Sequence, residues 1–185
     1  VLESALRREG HAQSQLAAAV ADELAKAAQV ARGFARGLSP VLVQSGHLGD
    51  VLEELASTIS GSFAVKCECR SQLEDCHMGL WVNTHVFRIV QELATNAAKH
   101  AGPSCVSITV EIANDLLKLC VENDGIPFER LKSSGIGLDL VAQRVRALGG
   151  NWSIRPRDRD KGGCIALCEI RLEARHFTDA GPTSV

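Results

Sequence analysis

The sequence predicts an α+β protein: a helical segment over residues 1–60, then an α/β sandwich, a mixed sheet packed on helices, over residues 61–175, and a disordered tail over 176–185. Three observations carry this reading. Apolar residues step in threes and fours from Leu16 to Leu38; the period changes to two beyond Gly61; and a helix with one polar face, Phe87 to Ala101, precedes two glycine-centred turns.

From Leu16 the seam runs through Val20, Leu24, Ala27, Ala31, Phe34 and Leu38, as in a helix that packs on other helices in a bundle or coiled coil. Gly10 marks a break before it, and Ser39-Pro40 stops it, because proline disfavours helical geometry in the preceding residue. A second helix starts after Asp50, a suitable cap, with Val51, Leu52, Leu55 and Ile59 as its apolar stripe and Gly61 as its end. Phe63, Val65, Cys67 and Cys69 then alternate like a half-buried strand. The polar-faced helix begins near Asn83 or Thr84 and buries Ile89, Leu93 and Ala97. Val106–Ile112 and Leu116–Val121 read as strands joined at Asn114-Asp115. Leu138–Leu148 is helical and ends at Gly149-Gly150, and strands over 152–155 and 164–172 follow.

Composition narrows the function. A formal net charge of -2 and 4% aromatic residues without tyrosine disfavour direct nucleic-acid binding, which needs a basic footprint or stacking rings. No apolar run approaches the ~20 residues that cross a bilayer, and Leu16–Val20 is too short for a signal-peptide core, so no membrane contact is expected of this fragment. Seven cysteines without a disulfide-type framework favour free thiols and a cytoplasmic setting. Cys67, Cys69, Cys76 and His77 offer soft metal ligands, but their spacing lacks the usual knuckle, and buried cysteine behaves as a small hydrophobe.

Glu92, Asn96, Lys99 and His100 lie three and four residues apart and share one helix face. Asn96 can give magnesium an amide oxygen, Lys99 and His100 can neutralise phosphate oxygens, and Glu92 can orient a metal-bound water or act as a base. The turns Val121-Glu122-Asn123-Asp124-Gly125 and Ser134-Gly135-Ile136-Gly137-Leu138 bring glycines where backbone must approach a ligand, the second at a helix start that favours anions. Lys132, Ser133 and Ser134 lie in a short lid between them.

This ordered set resembles the ATP-binding domain of the GHKL superfamily, and within it the sensor histidine kinases of the nitrate-sensor-like class, from about Arg36 to Leu172. Glu92–Ala101 resembles the N box, Asn123-Asp124-Gly125 the G1 box, Gly135-Ile136-Gly137-Leu138 the G2 box, and Gly162-Gly163-Cys164 the last glycine box. Ala35–Pro40 is similar to the end of the second dimerisation helix, and Val141–Gly150 to the helix after the G2 box. The resemblance implies a GHKL-type sandwich that binds ATP and Mg2+, with Glu92 catalytic and Asn96 the metal ligand. It implies nucleotide contacts from Asn96, Lys99, His100, Asn123, Asp124, Gly125, Ser134, Gly135, Ile136, Gly137, Leu138, Gly163 and Cys164. Asn123 stands where the family reads adenine with an aspartate, Pro127 where it has a second G1 glycine, and Cys164 where threonine is usual.

The implied reaction moves the ATP γ-phosphate to a histidine and then to a response regulator receiver domain, within a homodimer formed by the N-terminal helices. His11 is followed by Ala12 and sits too close to Ser39-Pro40 to be the acceptor, which is expected upstream of Val1. The chain is then cytoplasmic, by itself or as part of a larger sensor. Two rival readings are a degenerate GHKL interaction module that dimerises without phosphotransfer, and an anti-sigma serine kinase of the same superfamily.

Overall fold

The computed structural model describes residues 47–73, 78–127, 136–158 and 162–177. The chain divides into two units, Val1–Ser39 and Pro40–Val185, and all described residues belong to the second. The Leu16–Leu38 seam, Ser39-Pro40, His11, Cys76, His77, the lid residues Lys132 to Gly135 and residues 178–185 lie outside the described residues.

Three helices cover one face of a five-stranded sheet of order β1-β2-β3-β5-β4. β1 (Lys66–Gln72) pairs parallel with β2 (Cys105–Ala113); β3 (Leu116–Asn123), β5 (Gly162–Arg171) and β4 (Asn151–Asp158) continue antiparallel. The burial of alternate residues in β2, β3 and β5 follows from period-two side-chain alternation, with one face turned to the helices. Asn114 and Asp115 both have positive φ, as the two-residue turn of a tight hairpin requires.

Helix α1 (Leu48–Phe63) departs from expectation in three ways, the first being its start: His47 precedes it, and Asp50, expected as the cap, lies inside its first turn. Its stripe of Leu48, Val51, Leu52, Leu55, Ala56 and Ile59 belongs to the sheet's own core, not to a separate helical module ending at residue 60. Burying each large side chain contributes roughly 1.5–3 kcal/mol, and the sheet is the surface that supplies it. The helix also runs through Gly61 to a left-handed Ala64: a Cβ at Gly61 would meet nothing within 4 Å, so the glycine costs only about 1 kcal/mol of propensity and does not break the turn. Phe63 is therefore helical, and the strand starts three residues later. Burial pushes the Cys67 and Cys69 thiols up to about 12 and about 11, which keeps them protonated.

Helix α2 (Leu80–His100) starts earlier than Asn83 or Thr84. These two side chains do not cap; Thr84 Oγ1 donates to Leu80 O at 2.7 Å and Asn83 Nδ2 to Met78 O at 3.1 Å, so both turn back onto the helix. Gly79 precedes the first turn without a side-chain cap. The loss of about 1 kcal/mol is small beside the burial of Val82, Val86, Phe87, Ile89, Val90 and Leu93. Helix α3 (Ile136–Ala147) ends as the sequence indicates: Gly149 takes φ +73°, its N–H donates to Arg146 O, and Gly150 N–H donates to Val145 O, a Schellman ending.

A 3-10 turn at Ala174–Phe177 extends the fold past the tail boundary expected at residue 176. His176 is fully buried there, and its carbonyl accepts from Gly79 N at 2.8 Å, which fastens the C-terminal segment to the start of α2. Its Nδ1 accepts from Glu173 N at 2.8 Å, so the neutral ring carries its proton on Nε2. Burial, aided by Arg175, holds this imidazole below the ordinary histidine range. The unfolded chain therefore binds more protons below pH ~6.5, and stability is lost as pH falls from there toward the folded-state pKa. Melting temperatures should drop between pH 7 and pH 5.5, and His176→Gln, whose amide oxygen keeps the Glu173 contact, should flatten that slope; a slope identical in the variant would remove His176 as its source.

Candidate functional site

The polar face of α2 and the glycine segments meet at two places. At the first, Asn96 Nδ2 donates to Glu92 Oε1 at 2.9 Å, one helical turn apart, with both side chains half-buried. Gly137, in the first turn of α3, lies directly against this pair. A Cβ there would fall 1.9 Å from Glu92 Oε1 and 3.2 Å from Asn96 Nδ2. A glycine lets the start of α3 reach this position without displacing the Glu92 carboxylate, and the free N–H groups of a helix start favour an anion. Lys99 and His100 continue the face, exposed, in the last turn of α2.

The second meeting point is the turn after β3. Ile126 N donates to Ala101 O at 2.8 Å, and a Cβ on Gly125 would sit 2.2 Å from that same carbonyl oxygen. From the other side Gly163, at φ +89°, donates its N–H to Gly125 O, and a Cβ on it would lie 2.2 Å from Asn123 O. Cys164, buried and in register with Asn123, donates Sγ–H to Ile126 O at 3.5 Å. The turn is thus held between the end of α2 and the entry of β5.

Within that turn the two polar residues divide. Asn123 is 5% exposed, and its Oδ1 accepts from Gly125 N at 3.0 Å. Asp124 turns to the loop before β2, where its carboxylate accepts from Ser104 N at 2.8 Å, Cys105 N at 2.9 Å and the Ser104 hydroxyl. The Ser104 hydroxyl and the Cys105 amide hold its carboxyl below the usual carboxylate range. Asp124, expected as a nucleotide contact, accepts from three protein donors and anchors the turn. Ser104 and the Ala101 carbonyl were not singled out by the sequence, because neither residue type signals such a role.

Residues 82–174 match the family described as histidine kinase-, DNA gyrase B-, and HSP90-like ATPase, half of the chain. The chain belongs to this family. It is 30% identical over 115 residues to the sensor histidine kinase LiaS of Bacillus subtilis, covering 61% of this chain and 31% of that protein. It is 30% identical over 97 residues to the nitrate/nitrite sensor protein NarX of Escherichia coli, covering 51% and 16%. The histidine kinase domain of the Erythrobacter litoralis EL346 blue-light activated histidine kinase superposes with a TM-score of 0.57 at 25% identity, covering 68% of this chain and 61% of that one. The chain thus spans a third or less of the length of LiaS and NarX, and its α+β sandwich is the fold of this ATPase family. No helix among the described residues is long and apolar enough to cross a membrane.

The segments that resemble the N box and the G2 box meet at the Glu92–Asn96 pair and the Gly137 helix start, and those that resemble the G1 box and the last glycine box meet at the clamped turn of Asn123–Gly125 and Gly162–Cys164. Ser134, Gly135 and the side chain of Ile136 lie outside the described residues, and Leu138 is half-buried in the first turn of α3. A magnesium ion fits the donor set in one respect that the geometry decides: Asn96 turns its nitrogen to Glu92, which leaves its Oδ1, a hard oxygen ligand, for a cation. Among the described residues no group of three or more His, Cys, Asp or Glu gathers to hold a metal.

Two substitutions separate binding from folding. Gly137→Ala should leave the melting temperature unchanged or slightly raised, since alanine favours helix, while forcing the Glu92 carboxylate away and weakening Mg-ATP binding about tenfold or more, as read by titration calorimetry. Asp124→Asn should do the reverse: a loss of about 1 kcal/mol in denaturant unfolding, a modest figure because the group is near the surface, with ATP affinity changed less than about threefold.

Proposed function

We propose that this chain catalyses the ATP-dependent phosphorylation of a protein histidine, as the catalytic part of a two-component sensor. The Glu92–Asn96 pair against the Gly137 helix start is the observation that carries the reading. It gathers an oriented amide oxygen, a carboxylate and a helix N-terminus within one side-chain length, which is the equipment for a magnesium-bound polyphosphate. Lys99 and His100 extend it with donors for phosphate oxygens. Asn123, buried at the far clamp, reads the base.

Asn96 would hold the magnesium ion, which when bound neutralises charge on the β- and γ-phosphates. Glu92 holds the Asn96 amide with its oxygen outward, where it would ligate the cation, and its second oxygen would accept the proton of the attacking imidazole. Lys99, His100 and the α3 N-terminus fix the phosphates so that the γ-phosphoryl group faces an acceptor histidine in line. The acceptor belongs to a dimerisation helix; a homodimer through the N-terminal helices presents it, and the phosphoryl group then passes to an aspartate of a response regulator receiver domain. The names of the relatives support a histidine kinase of a sensor, since LiaS is a sensor histidine kinase and NarX a nitrate/nitrite sensor protein. The setting is cytoplasmic.

Calorimetric titration of the chain with ATP, with and without Mg2+, tests the site. The wild type should bind with an affinity that falls at least about tenfold when Mg2+ is chelated, and Asn96→Ala should bind weakly with no Mg2+ dependence while keeping its circular dichroism spectrum. Absence of heat for the wild type at high protein concentration would leave a noncatalytic interaction module; retained Mg2+ dependence in the variant would take Asn96 off the metal.

A further inference from the structure

Away from the nucleotide site, the free edge of the sheet carries a groove with two thiols in its wall. β1 pairs with β2 alone, and α1 turns the face of Glu53, Ser57 and Ser60 toward that strand. Between them runs an open groove of about 670 Å3, whose strand wall includes Cys67, Cys69 and Arg70. Ser60 Oγ accepts from Cys67 N at 2.9 Å and donates to Cys67 O at 3.3 Å, which fixes this wall against the helix.

Cys67 and Cys69 are two residues apart on one strand, so their side chains share the helix-facing side; both are free, half-buried thiols. Their spacing decides what they can do together. Residues i and i+2 of a strand have Cα atoms about 6.6 Å apart with nearly parallel Cα–Cβ bonds, whereas a disulfide needs Cβ atoms within roughly 3.5–4.5 Å. The pair therefore cannot close on itself without breaking the strand. A linear sulfur–metal–sulfur bridge spans about 4.6 Å, twice a metal–sulfur bond of about 2.3 Å, and side-chain rotamers that lean each sulfur roughly 1 Å along the strand close that gap. Among the described residues no group of three or more His, Cys, Asp or Glu gathers here, so the four ligands of a structural zinc site are not provided. A soft ion that is content with two sulfurs needs no more than this pair.

We propose that Cys67 and Cys69 form a binding site for a soft, two-coordinate metal ion of the copper(I) class, held in the groove between α1 and β1. Burial keeps both thiols protonated at neutral pH, so binding exchanges two S–H bonds for two metal–sulfur bonds and releases two protons, with no change of oxidation state. Hard cations, which prefer oxygen, have no such exchange to offer. The bis-thiolate complex carries one negative charge. Arg70 offsets it, Glu53 opposes it, and Glu68, also in the groove wall, is paired with Lys66 at 2.5 Å.

The test is anaerobic competition for Cu(I) between bicinchoninate and the 185-residue chain, in the wild type, Cys67→Ser, Cys69→Ser and, as a control on the opposite face of the sheet, Cys120→Ser. The first equivalent of ion should enter the wild type with release of two protons in weakly buffered solution and show two sulfur ligands by X-ray absorption. Cys67→Ser and Cys69→Ser should each lose about hundredfold or more in affinity with unchanged circular dichroism, and Cys120→Ser less than about threefold. An affinity unchanged in either groove variant, or a single proton released, assigns the ion to other thiols and overturns the site, as does a wild type that takes no Cu(I) from the competitor. None of these outcomes depends on whether the chain binds nucleotide.

Discussion

The site depends on two backbone approaches to a single helix. Gly137 brings the start of α3 against Glu92 and Asn96, and Gly125 brings the turn after β3 against the Ala101 carbonyl at the helix end. At Gly125 the approach is to backbone and closer than any side chain permits; at Gly137 a side chain would push the Glu92 carboxylate aside. Because both contact α2, the distance between the two meeting points is set by the rigid rise of about 1.5 Å per residue between Glu92 and Ala101. The glycines position the site by letting other segments reach this one ruler.

That ruler must itself be immobile, and its opposite face makes it so. Ile89, Val90, Leu93, Ala94 and Ala97 are buried among β2, β3 and α1 in the same core that contains the sheet. Several large side chains at roughly 1.5–3 kcal/mol each outweigh the poor cap at Gly79 and the partial desolvation of Glu92 and Asn96. The hydrogen bond between those two residues also does what burial cannot. A free amide presents nitrogen or oxygen equally; a carboxylate one turn back accepts the nitrogen and so fixes the oxygen outward. Orientation here comes from a net-acidic neighbour, which also suits a cation.

Much of this was legible in the residues themselves. The three- and four-residue spacing of Glu92, Asn96, Lys99 and His100 fixed a common face, and Ile89, Leu93 and Ala97 fixed the buried one, since helical period alone decides both. Asn114-Asp115 and Gly149-Gly150 announced their turns because their backbone angles exclude most other residues. Ends and allegiances were less legible. Gly61 lies where no neighbour opposes it, so its low propensity was overridden; Asn83 and Thr84 look like caps but bond back to carbonyls within or just before the helix. The stripe of α1 declared that something covers it without declaring what, because an apolar stripe fits a sheet as well as another helix. Asp124 had the residue type of a ligand group, and only the positions of Ser104 and Cys105, about twenty residues away in sequence, show that it is taken.

The separation of Asn123 from Asp124 is itself a consequence of strand geometry. β3 ends at Asn123 with its side chain on the buried side, and the next residue must point the other way, since successive side chains alternate across a strand. One of the pair can enter the site, and the other is delivered to the loop before β2. An acid at position 124 therefore cannot substitute for one at position 123, however close the two are in sequence. Exchanging their roles would need the strand to slip by one residue, which would turn Leu117, Leu119 and Val121 out of the core. The packing of the sheet consequently fixes position 123 as the residue of this turn that lies on the buried side, and no neighbour along the strand can take its place.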